Sequence, residues 1–296
     1  EDFLSRYKGL KPDTIRNQTD AVQRFFAVNS ISCLKDISLS HIEYGFTQSG
    51  QKEVYKSAMR KYLDFLFEEG IIETDLGEVL PMILPRIPNS YPLPSVYTDE
   101  EIRAILGSID RSTVQGSRDF AILMLASSLG IRASDICEMT LEAINFVKNE
   151  LCFIQKKTSV PLTLPLLPDV KEALLGYLGC RKINSTDEPI FIQCRAPYHK
   201  LTRMGIWTIM RRYLKQSGVD PGHRKRGTHA LRSSLASSMV REQVPYYAVQ
   251  KILGHESPQS TKNYVRIDIG RLREFTLPVP EAYGRFDAFL KGGETR

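Results

Sequence analysis

Residues 228–264 contain three short motifs in a fixed order: T-H-A-L-R at 228–232, L-G-H at 253–255 and T-K-N-Y at 261–264. Upstream, G-I-R-A-S-D occupies 130–135 and Q-K-K-T occupies 155–158. These stretches supply six chemically versatile side chains: Arg132, Lys157, His229, Arg232, His255 and Tyr264. Two guanidinium groups, an ammonium, two imidazoles and a phenol are suited to holding a phosphodiester while a tyrosine oxygen attacks its phosphorus.

The net charge of the chain favours a polyanionic partner. The 296 residues include 40 Lys and Arg against 34 Asp and Glu, which gives a net charge of +6. The basic excess lies in residues 96–296, whereas residues 1–95 are close to neutral. Because many proteins with a pI near 9.0 bind no nucleic acid, this charge permits a DNA-binding function without establishing it.

The cysteines and the apolar residues exclude several classes of protein. The five cysteines are scattered and form no C-x-x-C pair, which argues against a disulfide framework or a zinc ribbon and fits a reducing cytoplasm. No apolar run is long enough to cross a bilayer, and no signal peptide opens the sequence. The first residue is Glu1 rather than methionine, which leaves room for a preceding N-terminal arm domain.

A proline-rich stretch at 81–95 predicts the boundary between two regions. Five prolines within it favour an extended connector over a helix. Before this stretch, apolar residues at helical spacing predict helices at about 14–28 and 51–69. The second helix carries Lys52, Lys56 and Arg60 four residues apart, which indicates either a contact with a phosphate backbone or a solvated helix face. The region therefore reads as a small helical domain.

The larger region after the connector combines helices with a short hairpin. Thr98 and Glu101 form a capping box that opens a helix at 99–107, and Gly130 ends an apolar helix at about 117–129. Residues 150–165 are typical of two short strands. Further helices are predicted at about 169–179, 202–216, 228–241, 245–253 and 258–265. The predicted fold class is mainly α with a small antiparallel β-sheet.

Each candidate residue also has an ordinary structural interpretation when it is taken singly. His229 and Arg232 lie one helical turn apart and suit a surface pair. An arginine such as Arg132 commonly neutralises the carbonyls at a helix end, and a lysine at a hairpin tip, such as Lys157, is commonly just solvated. Tyr264 is one of thirteen tyrosines. Their order and spacing, rather than any single residue, distinguish the six.

In that order and spacing, the motifs resemble the tyrosine site-specific recombinases, a family of integrases and resolving recombinases. The resemblance rests on G-I-R-A-S-D at 130–135, K-K-T-x-x-x-L-x-L-P at 156–165, H-A-L-R at 229–232, L-G-H at 253–255 and the tyrosine at 264. After H-A-L-R the family commonly has H-T-F-A, whereas this chain has S-S-L-A at 233–236. That departure alters the packing behind the site and leaves all six chemical groups in place.

The resemblance implies a role for each of these residues. Arg132 and Arg232 would grip the non-bridging oxygens of the scissile phosphate, and His255 would donate a further hydrogen bond to them. Tyr264 would attack the phosphorus and form a covalent 3′-phosphotyrosyl link. His229 would accept the proton of the phenol, whose ordinary pKa of about 10 makes it a poor nucleophile at neutral pH.

The hairpin supplies the remaining catalytic group. Lys157 would protonate the departing 5′ oxygen, since alignment on the following L-P favours it, but Lys156 is a second candidate. The resemblance implies that the reaction needs no metal, nucleotide or other cofactor.

An architecture also follows from the resemblance. It implies a helical core-binding domain at 1–80, a proline-rich linker at 81–95, a catalytic domain of the tyrosine recombinase type at 96–270 and a C-terminal tail at 271–296. In the family, the two domains clamp DNA and the tail often docks on a neighbouring subunit. Packing of the tail on its own domain is the alternative.

Basic residues outside the six are predicted to contact DNA, mostly through its phosphates. They lie on the second N-terminal helix, at the hairpin tip, on the helix at 202–216 and in the R-K-R sequence at 224–226. The predicted DNA-binding set is Lys52, Lys56, Arg60, Lys156, Arg203, Arg211, Arg212, Lys215, Arg224, Lys225 and Arg226. The helix at 202–216 is also a candidate for reading bases in a groove, with the reading side chains left open.

The sequence therefore predicts a site-specific recombinase that acts on double-stranded DNA at specific recombination sites. The family implies a homotetramer on nucleoid DNA in the cytoplasm. A directionality factor is a further expected partner, and no contact with a membrane is expected. A mobile-element integrase is favoured over a resolution system. One alternative is a type IB topoisomerase, which nicks and relaxes DNA as a monomer. Another is a DNA-binding accessory protein without catalysis, against which the presence of all six groups argues.

Overall fold

The computed structural model describes residues 2–5, 9–84, 95–181 and 188–254. The chain divides into two compact units, Glu1–Ser90 and Tyr91–Arg296, and the division falls within the proline-rich stretch at 81–95. None of the helices in the described ranges combines the length and apolar character needed to cross a membrane.

The first unit is a set of helices packed around its fourth. These helices are α1 (Asp2–Ser5), α2 (Pro12–Asn29), α3 (Leu39–Gln48), α4 (Lys52–Glu68) and α5 (Leu76–Ile83). Helices α2 and α4 confirm the two predicted ones, and the three shorter helices are additional. The apolar stripe of α4 is buried, since Ala58 and Met59 share a core with Phe25 of α2 and Ile42 of α3. Burying that stripe supplies the main driving force for the unit.

The prediction of an extended connector is wrong at its first residues. Helix α5 continues through Pro81 to its end, although proline removes one backbone donor from a helix. Asp75 caps the start of α5 by accepting a backbone hydrogen bond at 2.9 Å. Leu80 and Leu84, on either side of Pro81, are buried in the core of the first unit. Apolar burial and a good cap therefore outweigh the single lost hydrogen bond.

The second unit combines helices with a three-stranded sheet. Its described helices are α6 (Asp99–Gly107), α7 (Val114–Ser128), α8 (Ala133–Glu138), α9 (Pro168–Cys180), α10 (Arg203–Gln216), α11 (Thr228–Arg241) and α12 (Tyr246–Leu253). The strands β1 (Ile144–Asn145), β2 (Glu150–Ile154) and β3 (Pro161–Pro165) are antiparallel in the order β1-β2-β3. The prediction of a mainly α fold with a small antiparallel sheet is confirmed. The helix predicted at 258–265 lies outside the described residues.

Helix α7 forms the centre of this unit. Ile122, Leu123 and Leu125 are fully buried, and α9 and α11 pack against the helix. The chain turns at Gly130, whose φ of +64° lies in the left-handed region. A Cβ atom at Gly130 would approach Leu253 to 2.8 Å, so the turn requires glycine both for its backbone conformation and for space. The turn leads directly into α8, a short helix that the sequence pattern did not predict.

The β2–β3 hairpin presents residues 155–160 at its tip. Leu151 pairs with Leu164 and Phe153 with Leu162. Because side chains alternate along a strand, these apolar residues share the face that packs on the core. The register therefore fixes which residues form the turn, and it places both candidate lysines there.

Candidate active site

Arg232 lies on the buried side of α11 and is only 2% exposed. Its guanidinium donates from Nη1 to the carbonyl oxygen of Gly130 at 2.5 Å and from Nη2 to the carbonyl oxygen of Leu253 at 2.6 Å. The first acceptor belongs to the turn after α7 and the second to the last residue of α12. A planar fork held at two points has a fixed orientation. The expectation of a surface His–Arg pair is therefore wrong for the arginine.

Arg132 approaches the same end of α12 from another direction. It is the N-terminal capping residue of α8, directly after the buried Ile131. Its Nη2 lies 3.4 Å from the carbonyl oxygen of Gly254. Carbonyls at a helix C-terminus carry partial negative charge and attract cations. Arg132 does contact a helix-terminal carbonyl, but at α12 rather than at the helix that precedes it.

The end of α12 is thus the point on which both arginines converge. Gly254 ends the helix with a φ of +59°, which confirms the predicted stop. The next residue in the chain is His255. His255 and Tyr264 both lie outside the described residues, so the described part of the site contains four of the six candidates.

The hairpin tip separates the two candidate lysines. Lys156 donates its backbone N–H to Oδ1 of Asp135 at 2.9 Å, and its Nζ lies 2.6 Å from Oε1 of Glu138. The charge of Lys157, by contrast, lies close enough to His229 to lower the pKa of the imidazole. The lysine that shares an environment with the imidazole is therefore Lys157.

His229 lies on the first turn of α11. Solvent reaches the residue, but the protein surrounds much of its ring. Partial desolvation by that crowding lowers the pKa of the imidazole below its ordinary value, and the nearby charges of Lys225, Arg232, Lys157 and Arg132 lower it further. Both effects disfavour the charged ring. The ring is therefore neutral at neutral pH and can accept a proton.

Asp135 is a residue of this site to which the sequence pattern assigned no role. Its buried carboxylate accepts the Lys156 N–H and lies 3.4 Å from the Ser134 hydroxyl, so it ties α8 to the hairpin tip. Burial raises the pKa of Asp135, and the Lys156 N–H and the charge of Arg132 oppose that rise. One feature of the sequence could have indicated Asp135: it is an acidic residue of the G-I-R-A-S-D motif, whereas none of the six candidate residues is acidic.

Two kinds of basic residue occur on α10. Arg203, Arg211 and Lys215 are exposed, and the Arg211 guanidinium lies 4.5 Å from the centre of the Trp207 ring. Such stacking holds the arginine in place without neutralising its charge. Arg212 differs, because its Nη1 lies 3.1 Å from the buried carboxylate of Asp119.

The R-K-R sequence after α10 also divides in two. Arg224 makes a bidentate pair with Glu101, at 2.6 and 2.7 Å, and lies 4.3 Å from the centre of the Tyr97 ring. It therefore holds the loop against the start of α6. Lys225 and Arg226 are exposed on the same loop, which leads into α11.

The basic residues of α4 belong to the first unit. Lys52 and Arg60 are exposed and Lys56 is half-buried. The ammonium groups of Lys52 and Lys56 lie 5.0 and 5.4 Å from the centre of the Phe46 ring. These contacts hold two of the three charges along one side of the unit.

Comparison with known proteins decides the family. The model of the phage integrase family matches residues 95–271, which is more than half of the chain. The chain belongs to the phage integrase family. Its relatives in this family include proteins named as tyrosine recombinases, so the resemblance drawn from the motifs is confirmed.

Two relatives illustrate the match. A protein of Sinorhizobium fredii named as an integrase/recombinase is 30% identical over 77% of this chain and 54% of its own length, so the chain spans about half of that relative. Tyrosine recombinase XerA of Pyrococcus furiosus is 30% identical over 73% of this chain and 70% of its own.

A solved structure supports the fold of this integrase-family chain. It is a dimer of lambda integrase residues 75–356 bound to a COC′ core site. The two chains share 23% sequence identity with a TM-score of 0.68, over 95% of this chain and 99% of the other. The observed fold is thus that of the tyrosine recombinases.

Proposed function

We propose that this chain is a site-specific DNA recombinase that cuts and rejoins strands through a covalent 3′-phosphotyrosyl link at Tyr264. The observation that carries the proposal is the convergence of Arg132 and Arg232 on the carbonyls of Gly254 and Leu253 at the end of α12. The His229 imidazole, whose pKa is lowered, and the Lys157 ammonium lie nearby. This arrangement suits the charge that develops on a phosphodiester during attack by an oxygen nucleophile.

The two arginines supply electrostatic stabilisation of the transition state. Negative charge grows on the non-bridging oxygens as the new phosphorus–oxygen bond forms, and preoriented guanidinium groups lower the energy of that state. Arg232 is preoriented by its two carbonyl acceptors, and Arg132 is placed by the turn at Gly130. Removing one such donor typically slows a reaction by about 10²- to 10³-fold.

Proton transfer would involve His229 and Lys157. A phenol must lose its proton to attack, and the lowered pKa of His229 keeps the imidazole neutral and able to accept that proton. As the new bond to the Tyr264 oxygen forms, the bond from phosphorus to the 5′ oxygen breaks. We assign to Lys157 the proton that this oxygen needs, because Lys156 is held at Glu138.

The remaining assignments come from the motifs alone. His255 would donate a hydrogen bond to the phosphate, and Tyr264 would be the nucleophile. The phosphotyrosyl link retains the free energy of the broken phosphodiester, so the strand can be rejoined without ATP. The proposed chemistry uses side chains for every proton and charge, and it requires no metal ion.

Contacts to DNA beyond the scissile phosphate are proposed for eight of the eleven basic residues predicted to bind it. These are Lys52 and Arg60 on α4, Arg203, Arg211 and Lys215 on α10, and Lys225 and Arg226 on the loop before α11, with half-buried Lys56 beside the first pair. They would bind phosphates without reading sequence. Arg224, Arg212 and Lys156 have carboxylate partners within the protein and belong to the scaffold first.

The finer architecture follows the family. We propose that the first unit, whose core includes Leu84, is the core-binding domain and that 96–270 is the catalytic domain, with the tail at 271–296 available to a neighbouring subunit. Exchange between two duplexes breaks four strands, and one nucleophile per chain then requires four chains. The proposed location of this tetramer is nucleoid DNA in the cytoplasm. Integration or excision of a mobile element is the proposed setting, in which a directionality factor would bias the outcome.

Covalent trapping tests the proposal directly. The protein is incubated with a library of nicked random-sequence duplexes, adducts that resist denaturation are isolated, and their DNA is sequenced. Wild-type protein should yield adducts with a shared sequence, and Tyr264→Phe should bind DNA and yield none. Adducts that survive the Tyr264→Phe substitution would refute the assigned nucleophile. The recovered duplex, placed twice on a plasmid, then separates strand exchange from relaxation alone, which would indicate a topoisomerase.

A further inference from the structure

Gln155 is a buried amide at the point where β2 enters the hairpin tip, with only 1% of its surface exposed. Its Nε2 donates to the carbonyl oxygen of Leu253 at 3.3 Å, and its Oε1 accepts from the Thr158 hydroxyl at 2.7 Å. One side chain therefore connects the end of α12 to the far side of the tip. A buried amide with partners at both its donor and its acceptor has a defined orientation.

The backbone of Gln155 closes the same turn. Its N–H donates to the Val160 carbonyl at 3.0 Å, and its carbonyl accepts from the Ser159 N–H at 2.7 Å. Lys156 and Lys157 lie within the loop closed by these bonds. The position of the loop relative to α12 then depends on the amide contact with Leu253.

The Leu253 carbonyl that accepts from Gln155 also binds Arg232, one of the two arginines proposed to hold the phosphate. The same carbonyl oxygen accepts from Nη2 of Arg232, and the next carbonyl, of Gly254, accepts from Arg132. A Cβ atom at Gly254 would lie 2.3 Å from Nε2 of Gln155, so the amide and the helix end approach as closely as glycine permits. Both arginines and the hairpin tip thus bind the same short backbone segment, the carbonyls of Leu253 and Gly254.

We propose that Gln155 is a positioning residue that holds Lys157 in register with Arg132 and Arg232. This inference rests on the proposed function, because it concerns how the lysine is placed over the leaving oxygen. Lys157 is exposed and has a long, flexible side chain. Its ammonium reaches one place reproducibly only if its backbone is held there. Without the amide, the tip would keep its anchors to the sheet and to Asp135 but would lose its hydrogen bond to the end of α12.

A change of leaving group isolates this role from a general loss of structure. In the natural reaction, the Tyr264 oxygen bonds to phosphorus, the bond to the 5′ oxygen breaks, and that oxygen takes a proton from Lys157. A sulfur atom in place of the 5′ oxygen departs as a stable thiolate and needs no proton. A defect that lies only in proton delivery therefore disappears with the sulfur substrate, whereas a defect in phosphate binding remains.

The experiment compares both substrates, built from the duplex recovered by covalent trapping, with Gln155→Leu, Lys157→Ala and Arg132→Ala. We expect Gln155→Leu to slow cleavage of the oxygen substrate about 10- to 100-fold, less than the roughly 10²- to 10⁴-fold expected when the acid itself is lost, and to cleave the sulfur substrate at the wild-type rate. Gln216→Leu is a control for loss of an amide–carbonyl bond on the exposed surface, because Gln216 donates its amide to the carbonyl of Ser108 at 2.8 Å, away from the site, and it should slow neither substrate.

The outcomes separate this inference from the proposed function. Equal slowing of both substrates by Gln155→Leu, as expected for Arg132→Ala, would show a structural role only and overturn the inference. No slowing with either substrate would overturn it as well. If Lys157→Ala itself is not rescued by sulfur, the proposed role of the lysine fails instead. Should Gln155→Leu not fold, Thr158→Val removes the acceptor-side contact from a half-buried position and should give the same, weaker pattern.

Discussion

The Nζ of Lys156 lies 2.6 Å from the Glu138 carboxylate, while the adjacent Lys157 places its charge near the imidazole of His229. Neighbouring residues of a tight tip thus point their charges to different partners. Glu138 holds Lys156 in an exposed ion pair and also binds Lys200 at 3.0 Å. The two candidate lysines of the sequence therefore differ in their surroundings, and this difference leads to the first prediction.

Lys157→Ala should slow single-turnover cleavage of the trapped duplex by about 10²- to 10⁴-fold, because the 5′ oxygen loses its proton donor. Lys156→Ala should cleave at close to the wild-type rate. It should also change the free energy of unfolding by less than about 1 kcal/mol, since the pair that it removes is exposed. Quench-flow measurement of adduct formation checks both variants. The reverse order of effects would reassign the acid to Lys156.

The pH dependence of cleavage should report His229. The pKa of this imidazole is lowered, so the ring stays neutral, and able to accept a proton, until the pH falls below its ordinary value of about 6.5. The second-order rate constant at low DNA concentration reflects the free enzyme. It should stay level as the pH falls to about 6.5 and decline only below that value. His229→Gln should be slower by about 10²- to 10⁴-fold and lack this decline. A decline centred above 6.5 would argue against His229 as the base.

Arg232→Lys should impair both chemistry and stability. A single ammonium cannot reproduce the fork that bonds the carbonyls of Gly130 and Leu253, so at least one of these two buried hydrogen bonds is lost. We expect about 1–3 kcal/mol less free energy of unfolding, and adduct formation about 10²- to 10³-fold slower. Denaturant unfolding and the cleavage assay measure the two effects. Arg241→Lys, on the exposed last turn of the same helix, is the control and should change neither.

Gly254→Ala and Gly218→Ala form a matched pair that measures the close approach at the end of α12. Both glycines have positive φ, +59° and +73°, so the backbone strain of alanine is common to both. An added Cβ would lie 2.3 Å from Gln155 at position 254 but would meet nothing within 4 Å at position 218. Gly254→Ala should therefore lose about 1–3 kcal/mol more stability than Gly218→Ala in denaturant unfolding. Equal losses would show that the amide moves aside without penalty.

Long apolar stripes and explicit caps allowed most of the fold to be predicted. Helix α4 has an apolar stripe over several turns, and α6 opens on the capping box of Thr98 and Glu101, which is present in the structure. Helices α1, α3, α5 and α8 are short, with four to ten residues, and too few turns show a period. Pro81 misled for a further reason, because its local preference is overridden by the burial of neighbouring leucines.

The sequence indicated which residue types make up the candidate site, but not the hydrogen bonds and packing contacts that orient them. Spacing places His229 and Arg232 on one side of α11, yet only packing turns the arginine inward while the histidine stays exposed. The acceptors that orient Arg232 are backbone carbonyls, which leave no mark in a sequence. Arg224 and Lys225 are adjacent basic residues that the sequence does not distinguish, but of the two only Arg224 pairs with the Glu101 carboxylate.

The dependence of both arginines on α12 has a consequence for the protein during its synthesis. Chains emerge from the ribosome N-terminus first, so α8 and α11 are exposed before the carbonyls of Leu253 and Gly254 exist. A nascent chain that ends at residue 241 already contains Arg132 and Arg232, but neither has its acceptor on α12. The Arg232 guanidinium then keeps its bond to the Gly130 carbonyl but lacks its bond to the Leu253 carbonyl. The orientation of these two arginines is thus completed only after residues 253 and 254 have left the ribosome, later than the helices that carry the arginines.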